Sequence, residues 1–131
     1  MHLAGLFLAL ALPFAAAAQD APTLEELAGD ARPFVVFADS PDDPKFVQQM
    51  AMIDALPEEL EKRRVVILTD TDPAAMGPLR QRLRPHGFGL VLIDLDGSVA
   101  RRWPLPASVR EVANFIDRTP SRRLETGSQR P

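Results

Sequence analysis

Arg32-Pro33-Phe34-Val35-Val36-Phe37-Ala38-Asp39-Ser40-Pro41-Asp42-Asp43-Pro44-Lys45 is the stretch on which the reading of the fold turns. Phe34 to Ala38 is a nearly continuous apolar run, the pattern of a strand covered on both faces and therefore placed near the centre of a sheet. It passes into a polar, proline-punctuated loop, after which Phe46, Met50 and Ile53 recur at helical spacing with Gln48, Gln49 and Asp54 between them. In a small α/β domain the loop at the carboxyl end of such a strand borders the crevice where ligands sit. Here that loop is acidic and carries no cysteine.

Forward from the loop, the helix is expected to stop near Leu56. Pro57 can open a further turn because proline is tolerated at the first helical position, and Glu58 and Glu59 suit its amino end. Val65 to Leu68 predicts a second buried strand, closed by Asp70-Thr71-Asp72-Pro73. Met76 to Leu83 is a short helix at most, since Gly77 and Pro78 interrupt it and Pro85 ends it. Leu90 to Ile93 and Ser98 to Trp103 flank Asp94-Leu95-Asp96-Gly97, and Asp-Gly between two β-type runs is a strong hairpin signal. Ser108-Val109-Arg110-Glu111 has capping-box spacing and opens a helix striped by Val109, Val112, Ala113 and Ile116. Pro120 is expected to stop that helix, leaving residues 121–131 as a flexible polar tail. Backward from the loop, Thr23-Leu24-Glu25-Glu26 is a second capping box, with Leu24 and Leu27 as its buried side.

The order β-α-β-α-β-β-α predicts an α/β domain. The first two strands, joined by a helical crossover, should be parallel and the last two antiparallel, giving a mixed four-stranded sheet with helices on both faces. That order and the Asp-x-Asp-Gly hairpin resemble the thioredoxin fold, including its peroxiredoxin branch, over roughly residues 33–118. The resemblance implies redox cysteines in the loop after the first strand, where this chain has Pro41 and Pro44. It also implies a cis-proline before the third strand, where this chain has Gly87-Phe88-Gly89-Leu90.

Nearly the whole of the chain beyond its amino-terminal apolar run also resembles the domain-of-unknown-function family numbered 4174, found in exported bacterial proteins and in animal extracellular proteins with sushi repeats. The residues that carry this are Arg32 to Ala38, Gln49, Leu92-Ile93-Asp94-Leu95-Asp96-Gly97, and Ile116-Asp117-Arg118-Thr119-Pro120-Ser121-Arg122-Arg123-Leu124-Glu125. Thr119 and Ser121 depart from the family pattern in that tail, as do Gly29 and Arg63-Arg64 further back. The family brings a domain, not an activity.

Composition narrows the classes. Residues 1–18 form an apolar run ending in Ala15 to Ala18, the form of a secretory signal peptide cleaved near Ala18. A periplasmic or secreted domain over 19–120 is the expectation, with no membrane insertion after signal removal, because Leu3 to Phe14 is shorter than the about 20 residues a span needs. The chain holds no cysteine, which excludes thiol redox chemistry, disulfides and Cys-ligated metal. The formal charge of −3 is too balanced to indicate nucleic acid as a partner. Acids crowd the first half and arginines the second, so the halves are expected to neutralise one another on folding.

No catalytic residue, cofactor or metal ligand is assigned from the sequence, and the leading reading is a non-catalytic module that works on a protein partner. Two alternatives remain. Asp39, Asp42 and Asp43 could meet Asp70 and Asp72 at one sheet edge and offer oxygen ligands to a divalent cation or small ligand, although aspartate before proline is ordinary turn and capping chemistry. His86, with Ser40 and Asp39, could form a hydrolase triad, although the strained Gly-x-Ser-x-Gly turn is absent. Trp103 is expected to pack under an arginine stem, and Arg122 and Arg123, beside Glu125, could dock a partner carboxylate or fold back on acids of their own domain.

Overall fold

A computed structural model describes residues 21–127. The expected signal peptide and residues 128–131 lie outside the described residues. The elements are α1 (Leu24–Leu27), β1 (Arg32–Phe37), α2 (Pro44–Ala55), α3 (Pro57–Glu61), β2 (Val65–Asp70), a 3-10 turn (Pro73–Ala75), α4 (Pro78–Leu83), β3 (Gly89–Ile93), β4 (Val99–Trp103), α5 (Val109–Asp117) and α6 (Pro120–Thr126). They form a four-stranded sheet in the order β2-β1-β3-β4. β1 therefore lies inside the sheet, parallel to β2 and antiparallel to β3.

Alternation along β1 decides the two faces. Phe34 and Val36 project into one cluster with Ile53 of α2 and Val109, Val112 and Ile116 of α5. Val35 and Phe37 project the opposite way, onto Leu24 of α1 and Leu83 of α4. Every residue of β1 is buried, as a strand roofed on both sides requires. Phe34 and Phe115 meet the Trp103 ring edge to face, each at 6.0 Å, and Arg101 lies 4.9 Å over the same ring. The Trp103 ring is thus core, with an arginine stem above it.

Local signals act largely as their chemistry dictates. The Thr23–Glu26 capping box is complete, each side chain pairing with the other residue's backbone N–H. At α5 only half of the expected box forms. Ser108 accepts from the Glu111 N–H at 3.0 Å, but the Glu111 carboxylate accepts from Trp103 Nε1 at 2.9 Å and does not reach back to Ser108. At the hairpin, Gly97 (φ +88°) permits the turn in which its N–H donates to the Asp94 carbonyl.

Residues 121–127 correct the expectation of a flexible tail. Pro120 ends α5 but occupies the first turn of α6, where its missing N–H costs nothing, and the Thr119 hydroxyl accepts from the Arg122 N–H. Polar side chains dock this helix: the Ser121 hydroxyl donates to Asp94 at 2.7 Å, and Glu125 receives Arg32, Arg64 and Arg122. A polar sequence hid a packed helix because its packing partners are charges.

Candidate functional site

The carboxyl ends of β1 and β2 and the loop before β3 meet at one edge of the sheet. Ala38 donates to the Asp70 carbonyl at 3.1 Å, so the loops that follow the two parallel strands leave side by side. Between them and Pro85 to Gly87 lies a cleft of about 760 Å³ lined by Asp39, Met76, Arg80, Arg84 and His86 among others. A smaller hollow of about 230 Å³ adjoins it, sharing Arg84, Pro85 and His86 and reaching Trp103.

Two of the five candidate acids, Asp43 and Asp70, have carboxylates engaged locally. Asp43 caps α2 by accepting from the Lys45 N–H at 2.8 Å, and Ser40 accepts from the Asp42 N–H at 3.0 Å. Asp70 accepts from the Asp72 N–H at 3.0 Å and from Arg80 Nε at 2.9 Å. Asp72 precedes the 3-10 turn, and its carbonyl accepts from Ala75. Among the described residues no three His, Cys, Asp or Glu side chains converge to hold a metal ion. The expected convergence of Asp39, Asp42 and Asp43 with Asp70 and Asp72 is corrected: the Asp43 carboxylate is turned to the amino end of α2, and the Asp70 carboxylate is held by a turn N–H and the buried Arg80.

Asp39 and His86 do share the larger cleft, but Ser40 is not part of its lining and its hydroxyl is engaged within its own loop. The triad of Asp39, Ser40 and His86 is therefore not assembled. Arg122 and Arg123 belong elsewhere. They sit on α6, which docks on Arg32 at the start of β1, roughly 20 Å along the strand from Asp39. Arg122 pairs with Glu125 at 3.0 Å and with Asp117 at 3.6 Å, so it serves its own domain, while Arg123 is exposed.

Two buried arginines escape sequence reasoning. Arg80 is 5% exposed and its Nη2 donates to the Ala38 carbonyl at 2.7 Å and to the Asp70 carbonyl at 3.1 Å, tying together the strand ends that frame the cleft. Its guanidinium stands 5.4 Å over the Phe37 ring. The one available signal is its position three residues before Leu83 on the inward side of α4. Arg32 is 1% exposed and donates to the Arg63 carbonyl at 2.7 Å, to Ser121 at 3.0 Å and to Glu125 at 3.2 Å, with Asp94 3.5 Å from its Nε. Around it, burial pushes the Glu125 carboxyl up, but Arg122, Arg32 and Arg64 outweigh that and hold it below the usual range. Arg63 hydrogen bonding lowers Asp117 in the same way, against a smaller opposing effect of burial.

The family model described as "Domain of unknown function (DUF4174)" matches residues 23–125. No curated protein matches the chain. Among solved structures, the reduced 2-Cys peroxiredoxin of Plasmodium vivax is similar at 12% identity, with 82% of this chain and 85% of that chain covered and a TM-score of 0.61. Thioredoxin peroxidase I of Plasmodium yoelii is similar at 17% identity, with 82% of each chain covered and a TM-score of 0.55. At such identities the likeness is one of fold, and the fold is thioredoxin-like.

Proposed function

We propose that this chain, which belongs to the DUF4174 family, is an exported, non-catalytic thioredoxin-like module that acts through protein contacts at the edge formed by the Asp39–Pro44 loop and the cleft beside it. The observation that carries the reading is the absence of cysteine from the entire sequence of a thioredoxin-like domain. Disulfide exchange and peroxide reduction both proceed through a thiolate, so neither is open to this chain by that route. The loop after β1 holds Pro41 and Pro44, and its Ser40 and Asp43 side chains make turn and cap bonds. What the loop edge offers instead is exposed surface: Asp39 and Asp42, with Met76 lining the same cleft as Asp39.

Export rests on residues 1–18, whose apolar run ends in four alanines. In a bacterial host the mature chain should begin near Gln19 and leave with the periplasmic fraction. Mass spectrometry of the processed protein and chemical cross-linking in intact cells test the two halves of the proposal. A chain that keeps Met1 removes the export claim. Cross-linking that recovers no defined partner, with the protein present and folded, removes the contact claim.

A further inference from the structure

We propose that the cleft between Asp39, Arg80 and His86 binds a small monocarboxylate with an apolar body. Arg80 is part of its lining. The Nε and Nη2 atoms are engaged by Asp70 and Ala38, and the Phe37 ring supports the guanidinium from one face. Nη1 has no hydrogen-bond partner among the described residues. A guanidinium gripped at two of its three nitrogens keeps a fixed direction, and Arg80 lines the cleft, so its remaining nitrogen loses little freedom when an acceptor arrives.

The walls choose the acceptor. Arg84, exposed on a residue with φ +51°, brings a second guanidinium to the same space, and His86 adds a ring nitrogen. Among the lining side chains two guanidiniums, Arg80 and Arg84, stand against one carboxylate, Asp39, a surplus of a single positive charge that falls short of a dianion. One negative charge suits it. Pro73, Met76 and Pro85 supply apolar lining beside the donors, and a volume of about 760 Å³ falls within the range of small-molecule sites. This goes beyond the protein-contact reading and requires no macromolecular partner.

Nuclear magnetic resonance of the folded protein tests it, following the Met76 methyl and the His86 ring during titration with benzoate, benzamide or inorganic phosphate. Benzoate should give saturable shifts at both residues in the millimolar range, and benzamide, the uncharged isostere, should bind at least about tenfold more weakly. Arg80 ties two strand ends together, so the informative substitution is Arg84→Ala, at an exposed side chain. It should weaken benzoate about fivefold or more while leaving the spectrum of the sheet unchanged. Benzamide binding as well as benzoate, phosphate binding more tightly than benzoate, an unaltered affinity in Arg84→Ala, or no saturable shift up to about 50 mM benzoate would each overturn the proposal.

Discussion

Arg32 Nη1 lies 3.2 Å from Glu125 Oε1, joining the first residue of the central strand to the last turn of α6 across 93 positions of sequence. The same guanidinium reaches the Arg63 carbonyl and Ser121, and Ser121 in turn donates to Asp94 at the hairpin. Strand, hairpin and terminal helix thus share one buried cation. The Arg-Pro-Phe stretch, the Asp-Leu-Asp-Gly turn and the tail that ends in Glu125 are distant in sequence but form a single polar cluster at the end of the sheet opposite the cleft.

Removing that cation leaves Asp94 and Glu125 each without the guanidinium they share. Breaking a buried ion pair by deleting one partner costs about 3–5 kcal/mol. Arg32→Ala should lower unfolding free energy in urea by that amount, and Glu125→Gln by about 1.5–3 kcal/mol, the range for a hydrogen bond to a charged group. A loss below about 1 kcal/mol for Arg32→Ala would mean that the cluster is dispensable to the fold.

Acid should release α6 first. Glu125 and Asp117 have folded pKa values below their ordinary ones. Each therefore contributes stability that is fully present above the unfolded pKa and is lost as pH falls through the lower folded value. The opening free energy of the 121–126 amides, taken from hydrogen exchange after correction for the intrinsic pH dependence of the exchange rate, should be flat near neutrality and fall once pH drops below about 4.3. In Glu125→Gln the acid-dependent part should shrink. An unchanged slope in that variant would assign the acid response to other groups.

Gln49 is fully buried on α2, and its amide pairs both ways with Ala107: Nε2 donates to the Ala107 carbonyl at 3.0 Å and Oε1 accepts from the Ala107 N–H at 2.8 Å. Two backbone groups of the β4–α5 connection depend on that one side chain. Gln49→Ala should cost about 3–5 kcal/mol by calorimetry or denaturant titration, from two unmet buried groups and the space left behind. A cost near that of an exposed substitution, within about 0.5 kcal/mol, would contradict the pairing.

The sheet was legible because alternation and burial share one cause. Phe34 and Val36 against Val35 and Phe37 state that β1 has two covered faces, and the Asp-Gly turn states that β3 and β4 form a hairpin. Arg32 and Arg80 were not legible, since a charged side chain implies solvent unless acceptors are supplied. Their acceptors include the carbonyls of Arg63 and Ala38, 31 and 42 positions away, and a carbonyl leaves no mark on composition. The same reason explains the tail: Ser121, Arg122 and Glu125 look like solvated residues until Arg32 and Asp94 are placed beneath them. At the cleft, Asp39 and His86 line one space, but no cluster of acids forms, because Asp43 and Asp70 make short-range bonds that a loop order does not reveal.

The proposed contact role of the loop edge calls for a direct readout. Site-specific photo-cross-linking in intact exporting cells measures this most directly, with the reactive group placed at Asp42 on that edge or at Arg123 on the exposed side of α6 at the far end. One discrete adduct is expected from Asp42 and none from Arg123. An adduct from Arg123 alone, or no adduct from Asp42 in a folded and exported protein, would contradict the contact role.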